Sequence, residues 1–390
     1  MTELLLCVSQ EERRVPFKFK MTGINVYTFE EALYHFYQYW KQSIDEIVSD
    51  EFITWVNDAL GLTYLAAKIK RLVNVSALTE RVTSFLMLTD YFDGQSMSAL
   101  REQVENWETR LEWERLKDKG DYLMKQGDPG WASLYYKKAL AFSKNSGGAG
   151  SSRILNNLGI AMMQMSLFDD ATEYLEQAAA LDPSSIQLAL NLAEAAVFAR
   201  DFDKAARVLK RVESVESGSP DIPYLRGELN LAAGDIRSSI EYFERALKIN
   251  PDPHYIYRLA DVYVKLRQYE RALETLKRVT ENDKVLLKQA EVYVMSNNVP
   301  AAIRCIERAL ISRGGSVELW VRLAMYHRLD YDIERANSAI VKALSLDPEN
   351  DMARLENARI KKAMGRTKEY QSTLHQVLLG MKKKYRETTV

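Results

Sequence analysis

One set of small and large apolar residues returns about every 34 positions through the C-terminal two-thirds of this 390-residue chain. Leu155, Leu158, Gly159, Met162, Ala171, Leu175, Ala178 and Pro183 make the first clear copy. Leu192, Ala193, Ala196, Ala205, Leu209 and Val212 follow one period later, and Gly227, Leu231, Phe243, Ala246 and Pro251 after them. The series continues through Ala260, Tyr263, Ala272, Leu276 and Val279, then Ala290, Tyr293, Ala302, Ile306 and Ala309. Trp320, Leu323, Ala324, Ala336, Ile340, Ala343 and Pro348 form the cleanest copy. A period of this length means that each copy is one supersecondary unit, too small to bury its own apolar face, so neighbours must stack. The small residues fall where backbones approach most closely, and the large ones fill the holes that remain. Pro183, Pro251 and Pro348 follow Asp or Asn and close one unit before the next begins.

This pattern resembles the tetratricopeptide repeat family from about residue 113 to the end. An opening unit carries Leu116, Gly120, Ala132, Tyr136 and Ala139, and a degenerate eighth, which caps the array, carries Ala358, Leu374 and Val377. The resemblance implies an all-α fold: a right-handed superhelical α-solenoid of helix hairpins, preceded by a separate, mainly helical N-terminal domain. The expected division is 1–95 for that domain, 96–112 for a connecting helix and 113–390 for the array. Two departures stand out. Ser146–Ser152 is a glycine-rich insert with no Gly-Lys-Ser/Thr after it, so it is no phosphate loop. The unit near residue 283 starts about four residues early, which predicts an unusually tight turn over Glu281–Lys284.

The first 110 residues follow other rules. Pro16–Tyr27 alternates as a short hairpin around Gly23. Thr28-Phe-Glu-Glu31 spells a capping box ahead of an aromatic helix with Leu33, Tyr34, Phe36, Tyr37 and Trp40, read as buried core rather than a ligand stripe. Asp50 is expected to cap a helix ended by Gly61, with further helices over about 62–73 and 76–92. Ser96–Gln126 reads as one long helix with Leu100, Val104, Trp107 and Leu111 on one face. A DNA-reading head is disfavoured, since residues 1–110 carry a net charge of −5 and lack a glycine turn between the candidate helices.

The resemblance places function on the first helix of each unit. At one expected inward position stand Asn157, Asn191, Leu225, Arg258, Lys288 and Arg322; three residues on stand Ile160, Glu194, Glu228, Asp261, Glu291 and Met325. Asn157 and Asn191 match the asparagines with which peptide-binding members grip a peptide backbone, because one amide both donates and accepts. The Lys and Arg partners of a carboxylate clamp are not in place. Arg258–Asp261 and Lys288–Glu291 can neutralise one another along their own helices. Glu194 and Glu228 lack a basic residue at that spacing and are expected to meet a cationic partner, with Phe198, Tyr224 and Tyr257 adding apolar area. The end of the chain is basic, at +7 from Arg354 to Val390, as either a solvated cap or a surface for an anionic partner.

Composition excludes several classes. With 53 basic and 54 acidic side chains, no long-range pull toward nucleic acid or an anionic membrane is expected. The longest uncharged run, 154–168, is too short and polar to span a bilayer. Met1–Cys7 lacks the basic start and apolar length of an export signal and reads as a short buried segment. Two cysteines, Cys7 and Cys305, fit a reducing, cytoplasmic setting. His35, His254, His327 and His375 lie at no metal-ligand spacing, and no nucleophile elbow, Walker loop or dinucleotide fingerprint is present. The expectation is an adaptor, not an enzyme, with no cofactor or metal, binding a protein or extended peptide rather than a small-molecule substrate. The alternative is a peptide-responsive regulator whose N-terminal module acts on DNA or a response regulator, a layout similar to the peptide-sensing regulators of Gram-positive bacteria.

Overall fold

The computed structural model describes residues 15–388 apart from 146, 147, 149, 217 and 314, so Cys7 and the leucines before it lie outside the described residues. The chain divides into two compact units, residues 1–201 and 202–390.

The first unit opens on a two-stranded hairpin, β1 (Phe17–Lys18) and β2 (Asn25–Val26), with Phe17 opposite Val26. Gly23 turns it at φ +71°, where its N–H reaches the Phe19 carbonyl at 2.8 Å. Helix α1 (Phe29–Ser43) starts as expected: Thr28 Oγ accepts from the Glu31 N–H, while the Glu31 carboxylate reaches back to the Tyr27 N–H at 2.6 Å. Its Leu33, Phe36 and Trp40 are buried and Tyr37 packs against that core, whereas Tyr34 is exposed. Then follow α2 (Asp50–Thr54), a π-helical turn (Trp55–Ala59), α3 (Thr63–Leu72) and α4 (Leu78–Leu86). The cap of α2 is Ser49, whose hydroxyl accepts from the Phe52 N–H, rather than Asp50, which is the first helical residue.

The long helix expected over 96–126 is two. Helix α5 (Gly94–Glu108) ends at Thr109, and α6 (Glu112–Lys125) begins after an extended Leu111 whose N–H is held by the Glu114 carboxylate at 3.1 Å. Burial decides the break. Leu100, Val104 and Trp107 belong to the same core as Phe17, Phe36 and Phe85, whereas Leu111 is exposed. The division expected at residue 95 therefore falls inside this core, and 96–112 is no free connector.

From α6 onward the elements among the described residues are helices only. Unit one continues with α7 (Pro129–Asn145), α8 (Ser151–Gln164), α9 (Phe168–Leu181) and α10 (Ile186–Phe198). Unit two holds α11 (Phe202–Val215), α12 (Asp221–Ala233), α13 (Ile236–Ile249), α14 (Pro253–Lys265), α15 (Tyr269–Leu276), α16 (Asp283–Met295) and α17 (Val299–Arg313). It closes with α18 (Val317–Leu329), α19 (Ile333–Leu346), α20 (Asp351–Ala363) and α21 (Thr367–Thr388). Within each unit a first helix packs on its second, and that second on the next first helix, as in α6–α7–α8 and α12–α13–α14. The early start near 283 is absorbed by α15, cut to 8 residues against 14 in α13 and α19, rather than by the turn alone. Within the glycine-rich insert, Gly150 precedes α8 at φ +75°, and a Cβ there would collide with the Trp113 ring.

The turn after each first helix carries a left-handed residue: Gly127, Ser166, Arg200, Gly234, Arg267, Asn297, Tyr331 and Gly365. Only three of these are glycine, so the other five turns hold a conformation that costs an L side chain about 1–2 kcal/mol. Tyr331, at φ 64° and 90% exposed, gives up no packing when truncated. Tyr331→Gly should raise stability by about 0.5–1 kcal/mol after the unfolded-state entropy of glycine is subtracted. A melting temperature equal to or below the parent's would contradict that strain.

Candidate functional site: the face of the first helices

Successive first helices touch one another, α6 with α8 and α8 with α10 in unit one, α14 with α16 and α18 with α20 in unit two. Each therefore shares a face with its neighbour, and several of the charged and amide residues proposed from sequence meet across it. The structure joins them across repeats. In unit two the Arg258 guanidinium grips both oxygens of the Glu228 carboxylate, Nη2 at 2.6 Å from Oε2. Lys288 Nζ lies 2.8 Å from Asp261 Oδ1, and Arg322 Nη1 donates to Glu291 Oε1 at 3.1 Å. In each case a cation on one first helix meets a carboxylate on the first helix before it.

Unit one repeats the rung in amide form. Asn157 Nδ2 donates to Asp121 Oδ1 at 2.9 Å, and the same carboxylate takes the Tyr136 hydroxyl at 2.8 Å and Lys117 Nζ at 2.6 Å. Burial, with the neighbouring Asp121, raises the Tyr136 hydroxyl well above the ordinary tyrosine range. Ile160 offers Asn191 no acceptor, so Asn191 Nδ2 reaches Asn156 Oδ1 instead, at 2.7 Å, while Gln187 donates to its oxygen at 2.9 Å. Glu194, one turn further along α10, is half-buried.

Burial grades the rungs. The Glu228 side chain is 5% exposed, and its hydrogen bond holds the Arg258 guanidinium above its ordinary pKa. Burial alone would lower the Lys288 ammonium, but the hydrogen bonds and charges of Asp261 and Glu291 outweigh it and leave it raised. Asp261, Lys288, Glu291 and Arg322 keep between 28% and 40% of their side-chain surface.

Several sequence expectations change. Arg258 turns to Glu228 rather than being neutralised along its own helix by Asp261, although Lys288 does approach Glu291 at 3.5 Å. Glu228, expected to meet a cationic partner, is buried and held by this chain's own arginine. Tyr257 is buried beneath Lys284, whose Nζ sits 4.8 Å from the ring centre, so it offers little contact area. Tyr224 shares a hydrogen bond of 2.9 Å with His254 and packs on Phe243 and Tyr255. Phe198 stays 42% exposed while stacking on Phe168 at 5.3 Å. Sequence reading missed Asp121 and Asn156. Asp121 occupies the position of Ile160 and Glu194 in the opening unit, a signal that was available.

A tetratricopeptide repeat family model matches residues 162–229 and 230–285. Residues 162–285 carry tetratricopeptide repeats. Among solved structures, yeast Tom70 is similar at 15% identity and a TM-score of 0.50, over 90% of this chain and 88% of that one. A tetratricopeptide repeat protein from Parabacteroides merdae aligns at 17% identity and a TM-score of 0.43, over 64% of this chain and 98% of its own. Another, from Thermus thermophilus, aligns at 17% identity and 0.38, over 45% and 98%. These likenesses are of fold alone, and no curated protein matches the chain. Tetratricopeptide repeats make a scaffold for protein interaction. Among the described residues no helix is long and apolar enough to cross a membrane, and no group of three or more His, Cys, Asp or Glu is placed to hold a metal ion.

Proposed function

We propose that this tetratricopeptide repeat protein is an adaptor that binds an extended peptide, or an extended segment of a partner protein, along its first helices. The observation that carries this reading is the half-exposed charge ladder on α14, α16 and α18, in which Lys288, Glu291 and Arg322 are oriented by one another yet remain open to solvent. Packed helix axes lie roughly 8–10 Å apart. An extended chain rises roughly 3.3 Å per residue, so each rung spans about three residues of peptide. Donors and acceptors alternate along such a peptide, and the ladder alternates cation with carboxylate to meet them. The side chains are already held, so less rotamer freedom is lost on binding. The two-cysteine composition fits a reducing compartment such as the cytoplasm.

The test begins with a phage-displayed library of random twelve-residue peptides selected on the full chain. The best peptide, fluorescently labelled, should bind Lys288→Ala/Glu291→Ala/Arg322→Ala at least tenfold more weakly by anisotropy. These side chains keep 28–40% of their surface in water and recover solvent when a partner is lost, each pair contributing about 0–1 kcal/mol, so the variant should keep its helical signal. An unchanged Kd would exclude this face of unit two. A parallel variant, Asn191→Ala/Phe198→Ala, reads the face of unit one in the same assay.

A further inference from the structure

The last hairpin breaks the packing rule that every other repeat obeys at one position. Where Leu155, Ile256 and Leu286 are buried in their repeats and Trp320 packs against its core, α20 presents Arg354, with Asn357 one turn and Lys361 two turns further on. The result is a cavity of about 280 Å³ among α19, α20 and α21, lined by Arg354, Asn357 and Lys361 on one side and Thr373 and Gln376 on the other, over Val377. No carboxylate is among its described lining residues.

We propose that this cleft is a binding site for an oxyanion carried by a peptide, the carboxylate of Asp or Glu or the phosphate of a phosphorylated residue. Its position and chemistry are independent of the first-helix reading above. Arg354 is oriented by the Pro348 carbonyl, which accepts from Nε at 2.8 Å, and Lys361 Nζ lies 3.2 Å from Thr373 Oγ. The carboxylates that now approach these cations stand at the rim in water. Glu349, on Arg354, is 78% exposed, and Glu369, 3.7 Å from Lys361, is 52% exposed, whereas Arg354 and Lys361 are only 30% and 24% exposed. Exposed pairs of that kind contribute little, so an oxyanion entering the cleft displaces weak partners and gains two half-buried cations. Asn357, Thr373 and Gln376 supply neutral donors beside them, as recognition of a multidentate oxygen group requires.

Three fluorescein-labelled octapeptides would be titrated against the full chain: alternating Ser-Glu, the same length with alternating phosphoserine, and alternating Ser-Gln. We expect one or both charged peptides to bind at least tenfold more tightly than the neutral one, weakening as salt is raised. The tighter of the two identifies the oxyanion. Arg354→Leu/Lys361→Tyr installs residues that other repeats carry at these positions, as in Leu286 and Tyr293, so it should melt higher than the parent while losing at least tenfold in charged-peptide affinity. Arg354→Gln/Lys361→Gln, which keeps the cleft polar, should lose affinity alike. Equal binding of all three peptides, or charged-peptide affinity unchanged in both variants, would overturn the proposal and leave a polar cap on the array.

Discussion

Arg258→Met should destabilise the second unit by about 3–5 kcal/mol, the cost of leaving a buried carboxylate without its cation. The Glu228 side chain is 5% exposed and takes both of its hydrogen bonds from the guanidinium. Methionine preserves most of the apolar stem of arginine, so the loss reports the missing charge rather than a cavity. Lys288→Met removes the equivalent cation one repeat later, but Asp261 is 35% exposed and recovers water, so the cost there should stay below about 1 kcal/mol. Replacing both partners, Glu228→Leu with Arg258→Met, should recover most of the loss, because the desolvated charge is gone as well. Urea unfolding followed by circular dichroism at the helical minimum measures all three. Equal costs for Arg258→Met and Lys288→Met would show that burial does not grade the ladder.

The repeats were legible because their determinants are local: a small residue, a large one and a proline at fixed offsets within each hairpin. The ladder was not, because its partners are far apart in sequence. Reading Arg258 and Asp261 along one helix gave an intrahelical pair, whereas Arg258 meets Glu228, 30 residues before it. Arg322 meets Glu291, 31 residues back. Opposite charges separated by roughly one period are a signal that helix-by-helix reading does not collect. The break at Thr109–Leu111 escaped for a related reason. Leu111 continues the apolar spacing of Leu100, Val104 and Trp107, and only the burial of those three against the N-terminal aromatics shows where that face ends. The left-handed turns at Ser166, Arg200, Arg267, Asn297 and Tyr331 leave no glycine to mark them; hairpin geometry imposes them on whatever residue falls there.

Gly227→Leu should cost about 2 kcal/mol net, despite leucine's better helix propensity, because the space is already filled. A Cβ on Gly227 would lie 2.7 Å from the Phe243 ring, and Phe243 is fully buried with no room to swing away. Overpacking of this kind typically costs about 1–3 kcal/mol, and the rest of a leucine side chain places it at the upper end. About 1 kcal/mol returns from replacing glycine in a helix interior. The control is Gly94→Ala in the other unit, where an added Cβ meets nothing within 4 Å, and no loss is expected. The decisive comparison is a double variant. Phe243→Ala alone should cost about 3–5 kcal/mol by opening a cavity. Combined with Gly227→Leu, the new side chain moves into that cavity, so the pair should cost clearly less than the two single losses together. Additive losses would mean that Gly227 and Phe243 are not packed against each other, and that α12 and α13 do not meet at the small-against-large contact on which the stacking of these hairpins depends.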